Sequence, residues 1–241
     1  MYKNKTISLV IPCLNEEKGI HQVLSRIPPC IDTTIVVDNG STDQTAAIAS
    51  SLGAQVISET KKGYGRAYRT GFEYCRTDII ATTDGDGTYP VELIPDMIDY
   101  LLEQGADFVS GNRFPLENEN AMPAHLVCGN KVITLILCRT FGVKIQDGLS
   151  GMWIFYRRIL DQLVLKSNRW SLSQEIKIET QMHGLPFREF HIPYTPRIGM
   201  TKLGPVSVGL ENMAYLFWHK IQWMTNIRES THDEQIGSSG R

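Results

Sequence analysis

The chain has 241 residues, 42% of them hydrophobic, and a formal net charge of −2. That length and apolar content suit a single domain with a full core, and the near-neutral charge argues against a nucleic-acid partner. Five cysteines (Cys13, Cys30, Cys75, Cys128 and Cys138) form an odd set without Cys-x-x-Cys spacing, which excludes a disulfide framework or zinc ribbon and fits a reducing cytosol.

The charged start, Met1-Tyr2-Lys3-Asn4-Lys5, leads straight into a strand and does not resemble a signal peptide. Thr6–Pro12 reads as that strand. Asn15-Glu16-Glu17 then starts a helix with acidic residues in its first turn, ending near Ile27 before Pro28-Pro29. Thr34–Asp38 is a second strand, and Ser41-Thr42-Asp43 caps a helix that closes near Leu52-Gly53. Ala54–Ser58 is a third strand, followed by the Gly63-Tyr64-Gly65 turn and a helix over Arg66–Cys75. Asp78–Asp84 is a fourth strand, Leu93–Gln104 a helix, and Asp107–Ser110 a fifth strand. Strands alternating with helices predict an α/β fold with a mostly parallel central sheet and helices on both faces.

The second half is less regular. It predicts a helix over Asn130–Phe141, a strand over Gly151–Tyr156, a helix over Leu172–Met182 and a strand over Phe187–Tyr194. A long apolar-rich helix is expected over Val206–Ile227, within a segment 205–228 set apart from a 1–204 domain. The polar tail 229–241 is expected to be disordered. No stretch approaches the ~20 apolar residues that a spanning helix requires. The long helix could instead lie along a bilayer surface, with Trp218 and Trp223 at headgroup level, or pack on the core or in a homo-oligomer interface.

The run Ile79-Ile80-Ala81-Thr82-Thr83-Asp84-Gly85-Asp86-Gly87 carries the most chemistry. On a strand, residues two apart share a side, so Asp84 and Asp86 are expected to converge on one cation. Glycines at 85 and 87 would let a bulky anion approach the backbone. Hard carboxylate oxygens completed by substrate phosphates suit Mg²⁺ or Mn²⁺ with a nucleotide. A calcium loop is excluded, because Tyr89 and Pro95 stand where its glycine and glutamate would be. Gly63-Tyr64-Gly65 is not a dinucleotide fingerprint, since Tyr68 takes the place of the third glycine. In such sheets ligands sit outside the carboxyl ends of the strands, where Asp38, Asp84 and Gly111 all fall.

Taken in order, Val10-Ile11-Pro12-Cys13-Leu14-Asn15-Glu16, Val36-Val37-Asp38-Asn39-Gly40-Ser41, Gly63-Tyr64-Gly65-Arg66-Ala67, Asp84-Gly85-Asp86 and Ser110-Gly111-Asn112-Arg113-Phe114 resemble the inverting family 2 glycosyltransferases of GT-A (Rossmann-like) fold. Asp147-Gly148-Leu149-Ser150-Gly151 and Arg197-Ile198-Gly199-Met200-Thr201-Lys202-Leu203 are similar to the dolichyl- and polyprenyl-phosphate mannose or glucose synthases within that family. The resemblance covers roughly residues 6 to 203.

It implies a nucleotide-sugar donor contacted by Pro12, Asn15, Glu16, Asp38, Gly63 and Asp84, and a divalent metal, Mg²⁺ or Mn²⁺, held by Asp86 with Asp84. Arg197 and Lys202 would offset the departing diphosphate. Arg113, with Lys131 as a second basic group, would meet the phosphate of a lipid-phosphate acceptor at the cytoplasmic membrane face. GDP-mannose and UDP-glucose both fit as donors. An ionised phosphate needs no general base. Were the acceptor an alcohol, as for a soluble or polysaccharide acceptor, Asp147 or Glu175 could serve, but both read more simply as capping or surface carboxylates. A nucleotidyltransferase would need a glycine- and lysine-rich loop where Pro12-Cys13-Leu14-Asn15 stands. The chain departs from the lipid-phosphate pattern at Thr88, where those enzymes carry glutamine, and at Met152-Trp153, where they carry Phe-Arg.

Overall fold

The computed structural model describes the backbone of residues 1–199 and 204–238. Seven strands form one sheet: β1 (Ile7–Cys13), β2 (Thr33–Asp38), β3 (Gln55–Ser58), β4 (Ile79–Thr82), β5 (Phe108–Asn112), β6 (Trp153–Tyr156) and β7 (Phe187–His191). Their order is β3-β2-β1-β4-β6-β5-β7. Only β6 runs antiparallel to its neighbours β4 and β5. The helices are α1 (Glu17–Ser25), α2 (Thr45–Ser51), α3 (Tyr64–Tyr74), α4 (Ile94–Glu103), α5 (Ala124–Phe141), α6 (Leu172–Met182) and α7 (Pro205–Ser238). The α/β architecture expected from the alternating pattern is the one observed.

The central strands are apolar on both faces because helices cover both. Every residue of β1 and β4 is buried. One core cluster includes Ile20 of α1 and Met97 and Leu101 of α4, and the other includes Ala67 and Phe72 of α3 and Ile176 of α6. Each fully buried Val, Leu or Ile contributes roughly 1.5–3 kcal/mol. A third cluster joins α5, α6 and α7 through Leu137, Ile178 and Leu216. The sheet reverses direction of growth between β1 and β4, and a crevice opens there beyond the strand ends.

Register sets what reaches that crevice. Cys13 pairs with Asp38 and Asp38 with Ser58, so β1, β2 and β3 end level. In contrast, Thr82 pairs with Val10, three residues before β1 ends. The chain after β4 therefore turns across the end of β1 while that strand continues. This corrects the expected geometry of the two carboxylates: Asp84 and Asp86 lie in a turn beyond the strand, and strand alternation does not bring them together.

The long helix starts where expected but runs to Ser238, past the expected boundary at 228 and into the segment expected to be disordered. No proline follows Pro205 and no glycine intervenes between Gly209 and Gly237, so nothing in that stretch interrupts its hydrogen-bond ladder. Its inner face is built onto α6 by buried polar pairs. Gln174 Nε2 donates to Asn212 (2.5 Å), Tyr215 donates to Glu175, and His219 Nε2 lies 3.1 Å from Glu179. Its outer face leaves Leu210, Phe217, Ile221 and Met224 exposed. No helix among the described residues is long and apolar enough to cross a membrane.

Candidate active site

At the crevice between β1 and β4 lies a cleft of about 250 Å³. Pro12 and Glu16 from the end of β1, Gly63 and Tyr64 from the start of α3, Asp84 and Asp86, and Arg197 from the loop after β7 all line it. Six residues expected from sequence thus meet in one place.

The turn that holds the carboxylates is packed too tightly for side chains. A Cβ on Gly85 would stand 2.6 Å from Cys13 Sγ, and one on Gly19 of α1 would stand 2.4 Å from the Gly85 carbonyl. Gly87 has φ +77°, which favours glycine. These glycines are explained by packing and backbone conformation within the turn, where the sequence suggested room for an anion.

Asp84 Oδ1 accepts hydrogen bonds from the Tyr64 hydroxyl (3.0 Å) and the Tyr68 hydroxyl (3.3 Å), two residues one helical turn apart on α3. Burial, and then the neighbouring charge of Asp86, pushes the Asp84 carboxyl up to about 7. Asp86 Oδ1 accepts from the backbone N–H (3.1 Å) and hydroxyl (2.7 Å) of Thr88. The threonine found in place of glutamine therefore orients Asp86.

Arg197 reaches across the cleft. Its Nη1 is 3.3 Å from Asp86 Oδ2, and its Nη2 pairs with Glu16. Backbone bonds fix the loop that carries it, since Thr195 N–H donates to the Thr88 carbonyl (3.1 Å) and Ile198 N–H to that of Asp86 (3.0 Å). Two hard-oxygen carboxylates lining the same cleft are a donor set of the type that suits Mg²⁺ or Mn²⁺. No cluster of three or more metal-binding side chains exists among the described residues, so further ligands would come from a substrate. Lys202, the second expected basic residue, lies outside the described residues.

Two residues expected to contact the donor bond to the neighbouring loops and are not among those that line this cleft. Asp38 accepts from Ser41 N–H (3.0 Å). Asn15, at φ +52°, accepts from Thr42 N–H (2.7 Å) and ties the loops after β1 and β2 together.

Sequence reasoning missed Asn39, Tyr64, Tyr68 and Trp170. Asn39 donates to the carbonyls of Glu59 (3.0 Å) and Lys61 (2.9 Å) and accepts from Gly63 N–H (2.7 Å), which holds the start of α3 against the cleft. Trp170 stacks on Tyr64 with ring centroids 4.2 Å apart at 17°. The Tyr64/Tyr68 spacing was a legible helical signal, whereas nothing local marks Asn39 or Trp170. Gly63, at φ +148°, has no room for a side chain, because a Cβ would meet the Asn168 carbonyl at 2.1 Å. We expect Gly63→Ala to lower stability by about 1–3 kcal/mol and to weaken nucleotide binding. Chemical denaturation and a nucleotide titration would measure both.

Away from the cleft, Arg113 forms a two-pronged pair with Asp147 through Nε (2.7 Å) and Nη2 (2.8 Å), both residues being buried. Asn130 donates to the same carboxylate (3.0 Å), and the buried Lys177 donates to the Asp147 carbonyl (2.6 Å). Asp147 is therefore neither a surface carboxylate nor an available base. Nor is Glu175, which is buried and accepts from the N–H groups of Lys166 (2.7 Å) and Ser167 (2.9 Å). Lys131 is exposed on α5, and both its ammonium and the Arg113 guanidinium lie 5.9 Å from the Phe114 ring centroid. Trp153 is fully buried beneath Tyr68 and donates to the Ser150 carbonyl (2.7 Å), so that position belongs to the core.

Residues 8–164 match the family model described as glycosyl transferase family 2. The low-salt glycan biosynthesis hexosyltransferase Agl6 of Haloferax volcanii is 33% identical over 220 residues, covering 88% of this chain. The chain spans 53% of that relative's length. A dolichyl-phosphate hexose transferase of the same organism is 33% identical over 210 residues, covering 86% of this chain and 91% of the relative. Among solved structures, glucosyl-3-phosphoglycerate synthase from Mycobacterium tuberculosis, in complex with Mn²⁺, UDP-glucose and phosphoglyceric acid, superposes with a TM-score of 0.72 at 22% identity. The match covers 90% of this chain and 80% of that one, and at this identity it establishes a shared fold.

Proposed function

The chain belongs to glycosyl transferase family 2 and is a glycosyltransferase; on that premise we propose that it moves a hexose from a nucleotide sugar, GDP-mannose or UDP-glucose, to the phosphate of a polyprenyl or dolichyl lipid. The observation that carries this reading is the meeting of Asp84, Asp86 and Arg197 with Pro12, Glu16 and Gly63 at one crevice. Pro12, Gly63 and the Tyr64–Trp170 stack offer an apolar and backbone surface for a nucleoside. Asp84 and Asp86 would hold a divalent ion, which when bound offsets the charge of the donor diphosphate.

The new bond forms between an acceptor phosphate oxygen and the anomeric carbon, with inversion. The bond from that carbon to the diphosphate breaks, and the nucleoside diphosphate leaves with the electron pair. A phosphate monoester has its second pKa near 6, so at neutral pH it is already a nucleophile and needs no base. This agrees with the engagement of Asp147 and Glu175 elsewhere. Arg197, poised between Asp86 and Glu16, is placed to stabilise charge gathering on the leaving diphosphate. We assign the same task to Lys202.

Lipid as acceptor is supported by similarity to the dolichyl-phosphate hexose transferase over nearly its full length. Two helices add to this. α5 carries Lys131 and Arg139 but no acidic residue, and exposes Val132 and Leu135. α7 exposes Leu210, Phe217, Ile221 and Met224. Such faces suit a peripheral position on an anionic cytoplasmic membrane surface. Arg113 and Lys131, each 5.9 Å from the Phe114 ring centroid, are the basic groups we assign to the acceptor phosphate.

Turnover with Mg²⁺ or Mn²⁺, with GDP-mannose and UDP-glucose offered separately, with and without a short polyprenyl phosphate, tests the proposal. Nucleoside diphosphate release that depends on the lipid phosphate is the expected result. Release without it would transfer the assignment to a soluble acceptor and remove the role given to Arg113.

A further inference from the structure

Trp170 lines the cleft although it is remote in sequence from the other lining residues, and the segment 166–169 that leads to it packs behind the cleft wall against α3. Its carbonyls face the N-terminal end of α3, where Gly65 N–H donates to Arg169 (3.1 Å) and Arg66 N–H to Asn168 (3.0 Å). The approach is close enough that a Cβ on Gly65 would stand 2.7 Å from the carbonyls of both Ser167 and Arg169. Trp170, which follows the segment, stacks on Tyr64, whose hydroxyl bonds to Asp84. The first residues of the segment are held from the other side by Glu175, which is fully buried in the first turn of α6 and accepts from Lys166 and Ser167 N–H.

Lys166 and Ser167 bind the Glu175 carboxylate through their backbone N–H groups, and its side-chain partner is the Tyr215 hydroxyl from α7. Burial disfavours the charged Glu175, and the Tyr215 hydroxyl is the foremost group opposing that effect. From the geometry we infer that Tyr215 and Glu175 are positioning residues for the donor cleft, through which the C-terminal helix holds the Ser167–Trp170 segment against α3 and Tyr64. This rests on the reading of the cleft as the donor site, and it is independent of which acceptor is used.

Removing only the Tyr215 hydroxyl leaves the ring in place and frees the carboxylate to shift. The full-length Tyr215→Phe protein is titrated with UDP and with GDP in the presence of Mn²⁺, and backbone amide exchange is followed in parallel. The expected results are about three- to ten-fold weaker nucleotide binding, the effect of one hydrogen bond, and faster exchange at Lys166, Ser167, Gly65 and Arg66. In turnover, the donor KM should rise by the same factor while the acceptor KM stays constant. Glu175→Gln sets an amide group against a backbone N–H and is expected to exceed this effect. Thr225→Ala, exposed on α7 and bonded only within that helix, should change none of these quantities.

Unchanged nucleotide binding in Tyr215→Phe would overturn the inference, whether or not amide exchange rises. A parent protein that binds neither nucleotide would overturn the donor-site reading together with it. A parent that binds nucleotide but ignores lipid phosphate would overturn only the acceptor assignment.

Discussion

Asp86→Ala is expected to lower turnover about 10³-fold or more, the scale on which removal of a group that stabilises transition-state charge is felt. The loss should appear in kcat, measured as nucleoside diphosphate release at saturating donor and metal. The fold should survive. Asp84 has its carboxyl pushed up partly by Asp86, so removing one of two close carboxylates relieves repulsion. Arg197 keeps its pairing with Glu16, and the neighbouring turn keeps the backbone bonds to Thr195 and Ile198. An unfolding midpoint close to that of the parent alongside lost turnover is the combined result expected. Normal turnover in this variant would remove Asp86 from the reaction.

The largest effect on stability is expected at Asp147. Burial alone would raise its pKa, but the Arg113 guanidinium, Lys177 and the Asn130 amide hold the carboxyl well below the usual carboxylate range. Asp147→Ala leaves the Arg113 cation buried at 5% exposure without its partner, and should cost about 3–5 kcal/mol in denaturant unfolding. A double replacement, Arg113→Met with Asp147→Leu, removes that pair but leaves the buried Lys177 cation without its neighbouring carboxylate, and is expected to recover only part of that loss. Arg113→Lys is expected to destabilise as well, because an ammonium cannot make the two-pronged contact with Asp147.

The sign with pH follows from the depressed pKa. The stabilisation is fully present above the ordinary value of 3.8 and is lost as pH falls below it toward the folded-state value. The parent should therefore lose stability steeply in that acid range, and Asp147→Ala should show a shallower dependence. Equal acid profiles would exclude the Arg113–Asp147 pair as a source of stability.

Short-range pattern carried the sheet. The apolar runs at Ile7–Cys13, Thr33–Asp38 and Ile79–Thr82 alternate with helical segments, and burial on both faces follows from covering helices. Of the cleft residues, Asp84 and Asp86 were legible from their own chemistry at a strand end, and Pro12, Glu16, Gly63 and Arg197 only through the motifs that resemble the glycosyltransferase family. Pattern also misled where it stood in for geometry. Alternation suggested that Asp84 and Asp86 share a strand face, yet Thr82 pairs with Val10 and the strand ends before either. Asp147 and Glu175 read as capping or surface carboxylates. Both accept backbone N–H bonds, but both are buried, and an isolated acidic residue carries no mark of the groups that will bury it.

The sequence by itself determined the α/β class, which follows from local periodicity, and placed two carboxylates, Asp84 and Asp86, at a strand end. Only the tertiary structure decided that β4 stops short of β1, that Arg113 is locked to Asp147 across 34 residues, that Trp170 stacks on Tyr64 at the cleft, and that Tyr215 of α7 bonds to the buried Glu175. Those contacts join segments far apart along the chain, and they are selected by strand register and by the demand that every buried charge find a partner.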